Sequence, residues 1–161
     1  YHQLFEHYES VSIQNHLTFD AYANRDSLKY EKLYGWSSMD TLMRGTLRKK
    51  GFCSAWDFMI SLGLTDDTTA IDLGNDASYF DFYSYFYQLP WSDSIRDDFY
   101  SKYQIQDKED LKVKLDFIGF FDHTTKLPRT QGTAAQIFQS ILEPKWKLKS
   151  TDTDWVVMVH F

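Results

Sequence analysis

Apolar and polar residues alternate imperfectly from Leu4 to Ile13 and more cleanly through Leu17-Thr18-Phe19-Asp20-Ala21-Tyr22-Ala23. A period of two is what a half-buried strand imposes. Asn15-His16 offers a turn between the runs, so together they predict a hairpin of an antiparallel sheet. Ser27 is placed to cap a short helix through Leu33, with Glu31 one turn on, and Thr41 to Leu47 supplies another strand. From Gly51 the period changes: Phe52, Trp56, Met59 and Ile60 recur at three- and four-residue steps, and Gly63 marks a C-terminal stop. A second helix is expected over Tyr79 to Gln88, ended by Pro90. A third runs from Ser94 to Tyr103, with Ser94 as cap and Asp97 in the favourable first turn. A fourth begins at Asp107, sets Leu111, Leu115 and Ile118 on one face and closes near Gly119. The fifth opens on the capping box Thr133-Ala134-Ala135-Gln136 and carries Ile137 and Ile141 inward. Pro144 falls late in it, where it can end or kink the helix. Asp154 to Phe161 reads as a strand again.

Strand-rich ends around a helical middle predict an α+β fold, a partial antiparallel sheet interrupted by an all-helical insertion. The sheet part takes residues 1–50 and 153–161, and the insertion 51–152. At 161 residues, 43% hydrophobic and 25% charged, the chain is an ordinary soluble globular one of one domain or one and a half. It opens on Tyr1 and stops on Phe161 inside an apolar run, as an excised piece of a longer protein would. Such a strand needs a neighbour to satisfy its backbone and cover its apolar face; a homodimer is one way to supply it.

The aromatic content of 18% predicts a core built from large rings. A pI near 5.2 argues against nucleic acid or an anionic membrane surface as partner. No apolar run approaches the roughly 18 residues of a membrane span, and no cationic-then-apolar leader opens the chain. Cys53 is alone, which removes intrachain disulfides and thiolate metal clusters and makes a reducing cytoplasm the simplest compartment. Cys53 itself reads as a small buried hydrophobe on a helix.

Against the net charge of -6, cations gather locally. The stretches Tyr22-Ala23-Asn24-Arg25-Asp26-Ser27 and Arg44-Gly45-Thr46-Leu47-Arg48-Lys49-Lys50-Gly51-Phe52 hold Arg25, Arg44 and Arg48, three of five arginines. A guanidinium gives two parallel hydrogen bonds to one carboxylate, which lysine cannot. Several such forks suit a small polycarboxylate. Surface ion pairs with Asp26 and Asp40 are the plainer explanation from spacing alone. If no bulge intervenes near Gly45, strand alternation puts Arg44, Thr46 and Arg48 on one face.

The pattern Y-x-N-R-D-S, then R-G-T-L-R and G-F at matching spacing, resembles the substrate-binding part of saccharopine dehydrogenases of the NADP-linked, L-glutamate-forming type. Trp155 to Phe161 resembles the strand on which that family resumes after its helical insertion, so the similarity covers nearly the whole chain. The resemblance implies that Arg25, Thr46, Leu47 and Arg48 contact saccharopine, a triply acidic conjugate of lysine and glutamate, with Asn24 and Arg44 as further candidates. It also implies an enzyme of lysine metabolism whose NADP(H) sits on a Rossmann domain elsewhere in the same protein. This fragment would then be inactive alone and bind no cofactor. A carboxynorspermidine-dehydrogenase-like enzyme acting on a polyamine shares the architecture, and a non-catalytic interaction module is the alternative of a different class.

Other features carry less. Tyr79 to Tyr87 holds no basic residue among its rings, so it reads as a buried helix, not a base-stacking platform. His2, His7, His16, His123 and His160 show no metal-ligand spacing; no metal is expected. Asp66-Asp67 and Asp97-Asp98 read as solvated helix ends. The seven glycines form no G-x-G or G-x-x-x-x-G-K pattern, and no G-x-S-x-G elbow is present.

Overall fold

The structure, a computed structural model, describes residues 2–13, 17–24, 26–36 and 40–147. Its first element is a helix, α1 (His2–Glu6), followed by β1 (Glu9–Ile13). Only the second half of the run predicted as a strand is therefore extended. Leu4 and Phe5 are adjacent apolar residues, which breaks alternation, and the Phe5 ring instead packs edge-on against Tyr22 and Phe52 at 5.3 and 6.2 Å. β1 pairs antiparallel with β2 (Leu17–Ala23), as the hairpin pattern predicts. β2 pairs in turn with β3 (Gly45–Lys49), giving the order β1-β2-β3.

β3 starts later than the apolar pattern suggests because Ser27 intervenes. Its hydroxyl accepts the Arg44 N–H at 3.0 Å, and the ladder begins where the Asn24 N–H meets the Arg44 carbonyl at 2.8 Å. Ser27 is thus spent on the sheet, and α2 (Lys29–Tyr34) starts without a side-chain cap. The Leu28 N–H is met by Asp26 Oδ1 at 3.0 Å instead.

Gly51 turns the chain from β3 into α3 (Phe52–Ser61) at φ +82°, a conformation that glycine adopts without a Cβ penalty. Next come α4 (Tyr79–Tyr87), α5 (Ile95–Lys102), α6 (Glu109–Phe117) and α7 (Ala134–Trp146). Each falls within its expected span, and α7 runs on through Pro144 by less than a turn. The middle also contains a two-stranded ribbon, β4 (Ala70–Asp72) against β5 (Gln131–Thr133). Three-residue strands are too short to show alternation. Asp66 is not a helix end: it takes hydrogen bonds from Thr68 and Thr69 in the turn after α3, which hold its carboxyl down to about 2. Ser94 turns its hydroxyl to Asp98 at 2.8 Å and leaves the backbone of α5 uncapped.

The core is a stack of rings around α4. Phe82, Tyr83 and Tyr87 are fully buried on it, and Tyr83 donates to the Ile118 carbonyl at 3.2 Å while stacking on Phe120 at 4.4 Å. That disposition is the packed helix its rings predict. A line of rings then joins the core to the sheet, from Phe138 to Trp56, Phe52 and Tyr22. The sheet is therefore attached to the helices by its Tyr22 face.

Thr133 and Gln136 form both hydrogen bonds of the capping box on α7. Thr133→Ala is expected to lower stability by about 1 kcal/mol, read as a drop in urea midpoint at unchanged slope.

Candidate functional site

Residues directly opposite in an antiparallel pair share a face. The register sets Asp20 against Arg48 and Tyr22 against Thr46, while Asn24 meets Arg44. No bulge interrupts β3 at Gly45. Arg44, Thr46 and Arg48 consequently stand in one row on the face that also carries Asp20, Tyr22 and Asn24. At about 3.3 Å per residue the row spans roughly 13 Å from Arg44 to Arg48, room for an extended molecule bearing carboxylates at both ends.

Aromatic rings hold both guanidiniums. That of Arg44, half-buried, lies 3.8 Å from the centre of the Tyr30 ring on α2. That of Arg48, exposed, lies 5.2 Å from the Phe52 ring at the start of α3. Cation–π contact leaves the donor edge of a guanidinium free for hydrogen bonding. Phe52 is itself stacked parallel to Tyr22 at 6.4 Å and 4°. The row thus runs along the seam where the sheet meets α2 and α3.

Leu47 points the other way. Its side chain is 46% exposed on the opposite face, with Ile13, Leu17 and Phe19. Its backbone is placed differently. Because the 24–44 pair is hydrogen-bonded, alternation bonds the 22–46 and 20–48 pairs and leaves the polar groups of residues 45, 47 and 49 directed away from β2. Among the described residues no strand pairs with that outer edge. The Leu47 main-chain N–H therefore faces outward at that edge, beside the row. Arg25 lies outside the described residues, as do His160 and the strand expected over 154–161.

Two groups beneath the row were not signalled by its spacing. Asp20 is 2% exposed, and its Oδ2 accepts the Cys53 N–H at 2.9 Å, from a helix 33 residues away. Cys53 is buried, and burial, followed by the Asp20 carboxylate, pushes its thiol up to about 11 against the opposing pull of Arg48. A thiol so raised is protonated at neutral pH and is no nucleophile. Phe52 was part of the arginine-rich stretch, but its role as the ring beneath Arg48 needs α3 in place. Beside Phe52 opens a mostly apolar cavity of about 210 Å³ whose lining includes Lys49, Lys50, Trp56, Phe117 and Trp146. Among the described residues, no group of His, Cys, Asp and Glu side chains is arranged to hold a metal ion.

The sequence matches the family described as saccharopine dehydrogenase C-terminal domain over residues 1–161. It is 25% identical over 159 residues to the saccharopine dehydrogenase [NADP(+), L-glutamate-forming] of Schizosaccharomyces pombe, an alignment taking in 88% of this chain and 33% of that protein. A 48-residue stretch is 52% identical to mouse mitochondrial alpha-aminoadipic semialdehyde synthase, covering 30% of this chain and 5% of that one. In structure the chain superimposes on apo saccharopine dehydrogenase (L-Glu forming) from Saccharomyces cerevisiae with a TM-score of 0.68 at 19% identity, over 91% of this chain and 34% of the yeast one. It thus spans about a third of these yeast relatives, and the shared α+β fold is common ground.

Proposed function

The chain belongs to the saccharopine dehydrogenase C-terminal domain family, and on that premise we propose that it is the substrate-holding part of an oxidoreductase of lysine metabolism. The reaction is the making or breaking of saccharopine by NADP-linked hydride transfer at the carbon–nitrogen bond between its two halves. The observation that carries this reading is the unbroken row Arg44-Thr46-Arg48 on one sheet face, each guanidinium resting on a ring.

What these residues do is bind and orient. Arg48 and Arg44 take carboxylates at the two ends of the row, with the Thr46 hydroxyl and the Leu47 N–H between them. Arg25 and Asn24 are assigned to the same substrate from their place in the N-R-D-S stretch. Fixing several carboxylates at once immobilises the substrate, which is the larger part of what a non-reacting domain contributes to rate. The amino-acid sequence offers no dinucleotide fingerprint: its seven glycines form no G-x-G or G-x-x-x-x-G-K pattern of the kind that cradles a pyrophosphate at a helix N-terminus. The cofactor is assigned to a Rossmann domain of the full protein, and a second copy or that domain is the natural cover for the open apolar sheet face.

The test offers the complete protein NADP+ with saccharopine in one arm and a carboxylated polyamine in the other. Reduction of the cofactor with saccharopine alone is expected. Turnover confined to the polyamine, or none with either, would contradict the assignment.

A further inference from the structure

We propose that Asp20 is a positioning residue for Arg48, a role that rests on the substrate reading above and names how that site is held. Four steps connect the two. The Asp20 carboxylate, 2% exposed, accepts the Cys53 N–H at 2.9 Å and so fastens the first turn of α3 to β2. Cys53 follows Phe52, whose ring is thereby set parallel to that of Tyr22, 6.4 Å away. The Arg48 guanidinium lies 5.2 Å from the centre of that ring. Finally, Arg48 stands directly across the sheet from Asp20 itself. One buried acceptor thus ties the ring that supports the end of Arg48 to the strand that pairs with β3.

Burying a carboxylate is costly unless it is used, and β2 could cover α3 equally well with an apolar residue. A hydrogen bond to a charged group is directional and stronger than a neutral one. It sets the position of the α3 N-terminus more tightly than ring packing alone. An exposed arginine on a long stem loses much rotamer freedom when it grips a ligand; a ring held in place beforehand reduces that loss. Asp20 touches no substrate in this scheme and acts through Phe52.

The experiment uses the complete protein. Asp20→Leu keeps the branch at Cγ but cannot accept a hydrogen bond, and it is expected to raise KM for saccharopine about tenfold while kcat falls less than about threefold. Asp20→Asn keeps an acceptor oxygen, and it is expected to bring KM back within about threefold of the parent. A parental KM in folded Asp20→Leu overturns the proposal, as does a loss confined to kcat or an Asn variant as impaired as the Leu one. Should Asp20→Leu not fold, Phe52→Leu carries the test: the same tenfold rise is expected, and an unchanged KM overturns the relay. Arg48→Ala, measured alongside, separates the two levels. A normal KM there sinks the substrate reading, whereas a raised KM there with a normal Asp20→Leu sinks the positioning role alone.

Discussion

Replacing Arg48 by alanine in the complete protein is expected to weaken saccharopine binding by about 2–5 kcal/mol, roughly 30- to 4000-fold. The magnitude follows from what is left behind. A substrate carboxylate taken into the seam between sheet and helices gives up its water, and without the guanidinium it has no charged donor in return. Arg48→Lys restores the charge but not the planar fork and lies less well on the Phe52 ring, so it should fall between alanine and the parent. Leu47→Ala provides the contrast. Its side chain is on the far face, and its assigned contribution is a main-chain N–H that alanine retains; a change under about threefold is expected. Calorimetric titration of the three variants reads all of this. Equal affinity in Arg48→Ala and Leu47→Ala would remove Arg48 from the site.

The largest effect on stability is expected from Phe99→Ala on α5. Phe99 is fully buried and lies within ring-contact distance of Phe58, Tyr87, Tyr103, Phe120 and Phe121, among others. It joins four parts of the helical layer: α3, α4, its own helix and the segment after α6. Removing a ring so placed costs about 3–5 kcal/mol, the transfer term plus the cavity that rigid neighbours cannot close. Since a domain of ordinary stability has only about 5–15 kcal/mol in all, the variant should unfold at markedly lower urea. Phe99→Leu, which fills more of the space, should recover over half of the loss. A midpoint for Phe99→Ala within error of the parent would mean that these rings are not the core.

The helical middle was legible because each helix carries its own punctuation. Gly63 and Gly119 stop α3 and α6 in the left-handed region, at φ +88° and +73°, and the Thr133–Gln136 box starts α7 where the residues alone place it. Errors came where one side chain had two possible partners. Ser27 can cap a helix or hold the Arg44 amide, and the fold uses the second; Ser94 prefers Asp98 to its own backbone. Neither choice has a local signature. Near the N-terminus, Leu4 and Phe5 are read by alternation as part of a strand. Their helix exists because Phe5 finds Tyr22 and Phe52, contacts made across 17 and 47 positions of sequence.

The candidate site divides in the same way. The i, i+2, i+4 spacing of Arg44, Thr46 and Arg48 shows a shared face provided the strand is regular, and the register meets that condition. What supports the row is not visible in spacing. Tyr30 lies 14 positions before Arg44, and Asp20 reaches Cys53 across 33, so both depend on how α2 and α3 return to the sheet.

The most direct test of the central claim is a crystal structure of the complete protein with saccharopine bound. The account predicts its carboxylates along the face of Arg44, Thr46 and Arg48, with at least one in a two-pronged contact with the Arg48 guanidinium above Phe52. Saccharopine seated on the opposite face, against Leu47 and Leu17, or bound without touching either arginine, would contradict it.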